Sequence, residues 1–337
     1  MLRTPLLRMT SAGLYCEAGG FHIDPCEPVA KAIITHGHAD HLTRRCKQYL
    51  TAVDGHEIVA GRLGPTADVA TANYGETLSF AGTTVSLHPA GHILGSAQVR
   101  IEHRGEVWVV TGDYKTTPDV TCAPFEPVRC HTLITESTFG HPFFAWPDVE
   151  GVVGELHDWW RTNQAAGKAC FLYVYALGKA QRVLAALDPA VGPIYVHPDI
   201  AAINAIYARQ GAQFPTHHSL DVATLSEDWT RSLFLFPPSA RWHQPCEFHG
   251  HFATGFVSGW MLLADGPQRR RVQTGFAVSD HADYSEILAA IDHCGAERVG
   301  VMHGYVDVLV ADLQERGRDA FPFRSPRCKD PPVVRRE

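Results

Sequence analysis

Residues Ala32-Ile33-Ile34-Thr35-His36-Gly37-His38-Ala39-Asp40-His41 carry four side chains that can bind a metal, directly after an apolar β-branched run. That run, residues 30–35, predicts a buried strand. Because side chains alternate along an extended chain, the first two histidines are expected on one side of its end. Asp40 is also expected to cap a helix over 42–45. No packing role explains this spacing, so it predicts two adjacent metal-binding points, one at His36 and His38 and one at Asp40 and His41.

Length and composition indicate a globular protein with a sizeable core. The chain has 337 residues, of which 45% are hydrophobic and 19% charged, and this length predicts two domains or one with a large insertion. No apolar run approaches the ~20 residues of a membrane span, and the N-terminal residues predict no signal peptide. The nine cysteines include no Cys-x-x-Cys pair, which favours reduced thiols in a cytoplasmic protein. The net charge of −7 gives no support to nucleic-acid binding by bulk electrostatics, although bound cations would change the local charge.

Asp24 lies just ahead of the histidine-rich stretch, after two short predicted strands at residues 13–16 and 21–23. An aspartate without a partner would be costly there, so Asp24 is expected to orient a ligand histidine or its loop. The alternative is a simple turn aspartate before Pro25.

Histidines and carboxylates also end later apolar segments. His88 and His92 compete within one loop, and His92 is favoured because flanking glycines let the backbone approach a metal closely. The stretch over 106–115 predicts a strand that ends in Gly112-Asp113, and a carboxylate after a glycine there suits a bridging metal ligand. The remaining residues of this kind are Glu136, His281 and His303.

Strands of one sheet that end together place such groups on one rim. One metal shell would then consist of His36, His38, His92 and Asp113, and the second of Asp40, His41, Asp113 and His303. Two divalent ions that share a carboxylate lie ~3.5–4 Å apart and lower the pKa of water to about 7. The pattern predicts a hydrolase with two divalent ions. The imidazole-rich ligand set favours zinc, and manganese is the alternative because the availability of each metal in the cell often decides which ion is bound.

Residues 140–274 have a different character, with alternating strands and helices that predict an inserted α/β lobe. Helices are expected over 149–166, 178–187 and 199–211. Lys179 opens one of them, where free backbone N–H groups can accept a phosphate. Ser258, Ser279 and Lys179 are candidates for contacting phosphates of a substrate. The tail after residue 318 is rich in Pro and Arg and is expected to be loosely ordered.

These motifs resemble those of metallo-β-lactamase-fold nucleases of the β-CASP group, and within that group the bacterial ligase-associated DNA exonucleases. The resemblance runs from about residue 13 to 316. It rests on the His-x-His-x-Asp-His stretch, the later Gly-His and Gly-Asp pairs, and longer runs at residues 111–115, 121–127, 135–140, 253–261 and 279–283. One departure is Tyr305, which stands where relatives often have Glu after the final His-Gly.

The resemblance implies an αββα sandwich formed by residues 1–139 and 275–337, interrupted by a β-CASP domain at 140–274. It implies that Glu136 pairs with His281, that His281 protonates the leaving oxygen, and that Asp40 belongs to the catalytic set. It also implies a single-strand DNA exonuclease in DNA repair, working in one pathway with an ATP-dependent DNA ligase and a helicase. His303 is shared with the RNA-cutting branch, so an RNA-processing endonuclease or exonuclease is the alternative.

Two other classes of protein compete with a nuclease. A small-molecule hydrolase of the same fold, such as a thioester hydrolase or lactamase, would not need an inserted lobe of ~135 residues. A metal-dependent binding or scaffold subunit would be expected to have lost ligands, whereas every expected ligand is present in this chain.

Overall fold

The structure, a computed structural model, describes residues 5–221, 229–243 and 251–324. These residues form the α/β fold that the sequence predicts, with three sheets and helices packed against them. The chain divides into two units. The first contains the described residues up to Ala145 and from His281 onward, and the second is Trp146–Asp280.

The first unit contains a 6-stranded sheet whose strands are adjacent in chain order. The first three strands are antiparallel, and the remaining pairs are parallel. Helix α1 (His56–Leu63) packs Val59 against Ala32 and Tyr49 of this sheet. Its strands are β1 (Leu7–Thr10), β2 (Gly13–Cys16), β3 (Phe21–Ile23), β4 (Lys31–Ile33), β5 (Gln48–Ala52) and β6 (Val69–Ala72).

The second sheet of this unit has 7 strands, and strands from both ends of the chain meet in it. It contains β7 (Leu78–Phe80), β8 (Thr83–Pro89), β9 (Ala97–His103), β10 (Glu106–Val110), β11 (Thr132–Ser137), β18 (Arg298–Gly304) and β19 (Asp319–Pro322). Their order is β19-β18-β11-β10-β9-β8-β7. Strands β10, β11, β18 and β19 of this sheet are parallel to one another, so β10, β11 and β18 end at the same edge.

The two sheets of the first unit share one apolar core. Ile33 and Leu50 of the first sheet belong to the same buried cluster as Leu87, Val99 and Trp108 of the second. Removing this apolar surface from water stabilises the fold by roughly 25 cal/mol per Å².

Helices α6 (Tyr284–Cys294) and α7 (Val306–Glu315) cover the other face of the second sheet. Val299 and Val301 of β18 belong to this cluster, while the side chain of the following Met302 packs against the core between the sheets. The buried helical positions follow the i, i+3, i+4, i+7 spacing of an amphipathic helix. They are Ile287, Ala290, Ile291 and Cys294 in α6, and Val306, Leu309, Val310 and Leu313 in α7.

The second unit is built on a parallel sheet, ordered β14-β13-β15-β12-β16-β17. Its central strands are buried along their whole length, as expected for a sheet covered on both faces. The strands are β12 (Ala169–Tyr173), β13 (Ile194–Val196), β14 (His218–Ser219), β15 (Leu233–Phe236), β16 (Phe252–Val257) and β17 (Thr274–Phe276). The helices are α2 (Val149–Ala165), α3 (Lys179–Ala186), α4 (Pro198–Arg209) and α5 (Gly266–Arg270).

The expected helix over 42–45 is absent, so Asp40 caps no helix there. These residues form turns, and Arg45 has a left-handed φ of 69° that a helix does not allow. The Tyr49 hydroxyl fixes the loop instead, because it accepts from the Cys46 N–H and donates to the Thr43 carbonyl, each at 2.8 Å.

The segment after residue 318 is more ordered than expected. Asp319–Pro322 pairs with β18 as the edge strand β19, because Ala320 packs into the core beneath α6 and α7. Residues 325–337 lie outside the described residues. Among the helices that the structure describes, none combines the length and the apolar character needed to cross a bilayer.

Candidate metal centre

The loop after β4 brings His36 and His38 together. His36 Nε2 lies 3.0 Å from His38 Nδ1, and the His36 ring is buried. On its other side, His36 Nδ1 lies 3.1 Å from the Thr35 hydroxyl, which fixes the ring orientation. Two ring nitrogens this close, one of them buried, favour neutral imidazoles whose lone pairs converge on a shared cation.

His92 joins this pair from the loop between β8 and β9. Its Nε2 lies 3.1 Å from His38 Nδ1, and its backbone N–H donates to the Ser96 hydroxyl at 3.1 Å. The flanking glycines serve chain packing. A Cβ at Gly91 would collide with the Lys115 carbonyl, and Gly95, at φ 73°, packs directly on the backbone of residue 55.

His88, the competing histidine, lies apart from this cluster. Its ring contacts the Ser86 hydroxyl at 3.0 Å and the Glu126 carboxylate at 3.3 Å. His88 belongs to strand β8, whereas His92 lies in the loop beyond it.

Asp113 is the carboxylate at the centre of the cluster. Its Oδ2 lies 3.6 Å from His36 Nε2 and 3.8 Å from His92 Nε2. It also lies 3.4 Å from His41 Nε2. One carboxylate oxygen therefore faces nitrogens of both predicted shells, as a bridging ligand must.

The donor set fits a divalent cation. One ligand atom from each of His36, His38, His92 and Asp113 lies within 4.8 Å of the other three. Three imidazole nitrogens and one carboxylate oxygen form a donor set that suits zinc and other first-row divalent ions. These residues would hold the first ion.

The second set is more open. The His41 and His303 ring centroids are 6.0 Å apart, and Asp40 Oδ2 lies 4.0 Å from His41 Nε2. The Asp40 side chain is 80% exposed. These residues and Asp113 line a cavity of about 580 Å³, a size typical of small-ligand sites. These residues are the ones that would hold a second ion.

His303 has an uncommon backbone conformation. Its φ is 58°, in the left-handed region that costs a side-chain-bearing residue roughly 1–3 kcal/mol. The Ser137 hydroxyl donates to the His303 carbonyl, and the Tyr305 N–H donates to the Ser137 carbonyl at 2.8 Å. These bonds to β11 hold the strained residue in place.

Asp24 supports the loop after β4 at two points. Its Oδ2 lies 2.8 Å from His41 Nδ1, and its Oδ1 accepts from the Thr35 N–H at 2.8 Å. The Thr35 hydroxyl also donates to Asp24 Oδ2 at 2.5 Å. With Nδ1 engaged in this way, His41 presents Nε2 to Asp113.

The Asp24→Asn variant is expected to bind the second ion ~10–100-fold more weakly, because His41 loses the charge that orients it and makes it a stronger ligand. Asn tolerates the left-handed φ of 41° at this position, so the loop should keep its shape. Metal titration by calorimetry checks the result against Asp319→Asn, which removes a carboxylate from an exposed surface ion pair. Unchanged affinity for both ions would contradict the orienting role.

His281 and Glu136 form a pair beside Asp113. His281 Nδ1 lies 2.9 Å and 3.1 Å from the two Glu136 carboxylate oxygens, and 4.0 Å from Asp113 Oδ2. Glu136 is itself held in place, since it accepts from the Tyr114 N–H at 3.0 Å and from the Thr138 hydroxyl. The carboxylate fixes the ring and leaves Nε2 for another partner.

The electrostatics of the cluster favour positive charge beside Asp113. Burial and the neighbouring His41 hold the pKa of His36 well below its ordinary value. Burial also disfavours charge on His41, but Asp113 and Asp24 outweigh it and hold the pKa of His41 well above its ordinary value. Burial opposes ionisation of Asp113, yet His41 and His281 keep its pKa well below the usual range.

The expectation that one sheet supplies the whole site is wrong. Strand β4 belongs to the first sheet, whereas β8, β10, β11 and β18 belong to the second. His281 follows β17 of the third sheet and lies just before α6. The site therefore depends on packing of the two sheets in the first unit, which no strand reveals by itself.

The three predicted phosphate contacts lie in the second unit. Lys179, the first residue of α3, pairs with Asp280, and both are buried. The Ser258 hydroxyl accepts from the Trp260 N–H at 3.4 Å and so caps a short helical turn. Ser279 is also buried. Their role toward a substrate stays a prediction.

Sequence reasoning missed Glu286, which links the segments carrying Asp113 and His281. Its carboxylate accepts from Lys115 Nζ at 2.8 Å and from the Thr117 N–H at 2.8 Å. It also accepts from the Asp283 N–H at 3.0 Å, while Asp283 accepts from the Glu286 N–H at 2.9 Å. This capping box is a pattern that the sequence does signal, as Asp-x-x-Glu before an apolar run.

Glu286 is expected to make stability depend on pH in the acid range. Burial opposes its ionisation, but Lys115 and Thr117 lower the pKa of Glu286 from 4.5 to about 2. Because the folded-state pKa is the lower one, the stabilisation is complete above about pH 4.5 and disappears as the pH falls through 2. It amounts to about 3 kcal/mol.

The Glu286→Gln variant should therefore be less stable by about that amount at pH 7 and lose less stability than the wild type between pH 5 and 2. Urea unfolding without added metal, at a series of pH values, measures both effects. The exposed Glu315→Gln variant is the control. Parallel pH profiles for Glu286→Gln and the wild type would contradict the assignment.

Comparison with known proteins gives partial relatives of three kinds. No protein-family model matches the chain. Over 314 residues, 92% of the chain, it is 28% identical to a protein of Opitutus terrae called "Probable DNA ligase", of which it spans 30%. It is 34% identical over 145 residues to endoribonuclease YSH1 of Yarrowia lipolytica, matching 42% of this chain and 17% of that protein. It is 33% identical over 143 residues to cleavage and polyadenylation specificity factor 73 of Drosophila melanogaster, matching 42% of this chain and 20% of that protein.

A solved structure shares the fold. The chain matches a protein of unknown function from Enterococcus faecalis with a TM-score of 0.54 and 12% identity, over 80% of this chain and 74% of that one. The chain spans less than a third of the length of each sequence relative named above. These similarities support the resemblance to metallo-β-lactamase-fold nucleases of the β-CASP group that the motifs predict.

Proposed function

We propose that this chain is a metal-dependent phosphodiesterase that removes nucleotides from single-stranded DNA. The observation that carries the proposal is the cluster around Asp113. Three histidines converge there on one carboxylate, His41 contacts the same oxygen, and the His281–Glu136 pair lies beside it. This combination supplies metal ligands and a proton donor within one site.

The residues of this chain would have the following roles in the reaction. The bound ions supply a nucleophile at neutral pH and neutralise charge that develops on the phosphate. Glu136 holds His281 through Nδ1 and favours its protonated form, so Nε2 carries the proton to the departing oxygen. Asp24 orients His41, and Asp113 faces the ligands of both sets. Asp40, the most exposed carboxylate of the set, would complete the second shell.

The fold supports a more specific architecture. The two sheets of the first unit share a core, with α6 and α7 outside one sheet and α1 packed on the other. We propose that this is an αββα metallo-β-lactamase sandwich formed by residues 1–139 and 275–337. Residues 140–274 would be the β-CASP domain, with Lys179, Ser258 and Ser279 contacting phosphates of the substrate.

DNA is the proposed substrate because the Opitutus terrae protein, which aligns with 92% of this chain, is called "Probable DNA ligase". A role in DNA repair, with an ATP-dependent ligase and a helicase in the same pathway, follows from that similarity. The proposed ions are two zinc ions, with manganese as the alternative. RNA is the second candidate substrate, favoured by the name of endoribonuclease YSH1, which matches 42% of the chain.

End-labelled single-stranded DNA and RNA of one sequence, incubated with zinc or manganese and resolved by length, test the proposal. A ladder of shortened DNA is the expected result, and it should disappear with a chelator. Cleavage of RNA alone would favour the second candidate. Inert nucleic acid together with turnover of a chromogenic lactam or thioester would replace the proposal with a small-molecule hydrolase.

A further inference from the structure

A cluster of aromatic rings, here called the aromatic rim, adjoins the His281–Glu136 pair in the first unit. Phe139 and Phe144 contact each other with ring centroids 4.9 Å apart, and Phe143 contacts Phe144 at 5.2 Å. The Phe139 centroid lies 6.0 Å from that of His281. A continuous series of ring contacts therefore leads from Phe143 to the proposed proton donor. The rim consists of Phe139, His141, Phe143, Phe144 and Tyr305.

Tyr305 closes the rim from the other side. Its ring lies 5.6 Å from Phe144 and 5.3 Å from His141, centroid to centroid. It follows His303 by two residues along the chain. The rim thus adjoins both the proton donor and the last predicted metal ligand.

The members of the rim differ sharply in exposure. Phe139 and Phe144 are 2% and 1% exposed, whereas Phe143 is 41% exposed. The rings of Phe143 and Phe144 meet at 88°, an edge-to-face contact that cannot cover both faces of the Phe143 ring. Phe143 is therefore an apolar ring held on a buried aromatic base and open to solvent on one side.

Local hydrogen bonds hold the segment that carries Phe143. The Gly140 N–H donates to the Ser137 carbonyl at 3.0 Å, and the Phe144 N–H donates to the His141 carbonyl at 2.9 Å. The Phe143 N–H also donates to His141 Nδ1 at 3.1 Å. A ring held in advance loses little conformational entropy when a ligand stacks on it.

We propose that Phe143 is a stacking platform for an unpaired base of single-stranded nucleic acid next to the scissile phosphate, an inference that rests on the proposed function. Every base has a π-face, so such a platform binds any sequence and does not distinguish DNA from RNA. In a duplex the base faces are already stacked on their neighbours. Phe143 therefore selects for unpaired substrate, while the metal ligands and His281 act on the phosphate.

Steady-state cleavage of a labelled single-stranded oligonucleotide tests this assignment. The Phe143→Ala variant is expected to raise KM roughly 5- to 100-fold, the range for loss of one stacked base, with kcat little changed. Phe143→Trp should restore KM, since its ring stacks at least as well. Val120→Ala removes an 84% exposed apolar side chain elsewhere in the first unit and should leave KM unchanged.

A second set of substrates shows whether a base is the partner of Phe143. Oligonucleotides with a single abasic residue, moved stepwise along the strand, should show one position at which the missing base raises KM for the wild type. At that position, removal of the base should not raise the KM of Phe143→Ala any further. Equal KM values for the wild type and Phe143→Ala, or an abasic effect that adds in full to that of the variant, would overturn the inference alone. A wild type that cleaves no nucleic acid would overturn it together with the proposed function.

Discussion

The Asp113→Asn variant is expected to lose both bound ions and to cleave nucleic acid at least ~10³-fold more slowly. Its Oδ2 lies between 3.4 and 3.8 Å from nitrogens of His41, His36 and His92, so one oxygen serves both proposed shells. An amide of the same size lacks the charge that attracts the cations. A metal supplies several kcal/mol of transition-state stabilisation, and each 1.36 kcal/mol changes the rate tenfold.

Metal content by mass spectrometry, measured beside the cleavage rate, checks both parts of this expectation. Asp68→Asn provides the matched control, because the exposed Asp68 carboxylate accepts from the Gln48 side chain, away from the site. Thermal unfolding of each variant without metal shows whether the fold is kept. An Asp113→Asn protein that retains two ions and full activity would remove the central residue from the proposed site.

The second large effect is expected at His281. The His281→Ala variant should cleave ~10²–10⁴-fold more slowly while keeping both ions, the usual contribution of a positioned general acid. His281 is held by Glu136 at 2.9 Å, and its Nδ1 lies 4.0 Å from Asp113, whereas the nitrogens of His41, His36 and His92 lie 3.4–3.8 Å from it. Its removal therefore takes away a proton donor and leaves the metal shell.

A substrate that needs no proton separates these roles. Nitrophenolate departs without protonation, so a thymidine nitrophenyl phosphodiester should be cleaved by His281→Ala at nearly the wild-type rate. Oligonucleotides, whose leaving group is an alkoxide, should show the full loss. Equal losses on both substrates, or metal lost from the variant, would mean that His281 acts as a ligand.

Local pattern predicted much of the fold. Strands β2 and β3 occupy the residues at which the sequence predicts them, 13–16 and 21–23. The helix expected over 149–166 is Val149–Ala165. Such elements follow from the spacing of apolar residues over a short stretch of chain, which can be read directly from the sequence. The turn at Arg45 does not follow from local spacing, because the hydroxyl of Tyr49 sets its conformation.

The members of the candidate site are easier to find in the sequence than its construction. A histidine or carboxylate after a strand is visible as a motif, and the structure brings His36, His38, His92 and Asp113 together. That β4 approaches Asp113 from a different sheet depends on packing between distant segments. Glu286 escaped notice for the same reason, because its partners Lys115 and Thr117 are remote along the chain.

The order of the ligands along the chain has a consequence during protein synthesis. The residues for the first ion end at Asp113, whereas His281 and His303 emerge from the ribosome only after the whole second unit. Since β18 and β19 add to the end of their sheet beside β11 at the same late stage, a nascent chain can collect its early ligands yet lacks the proposed proton donor. The proposed activity toward nucleic acid would thereby be postponed, near the translating ribosome, until nearly all of the described chain has been made.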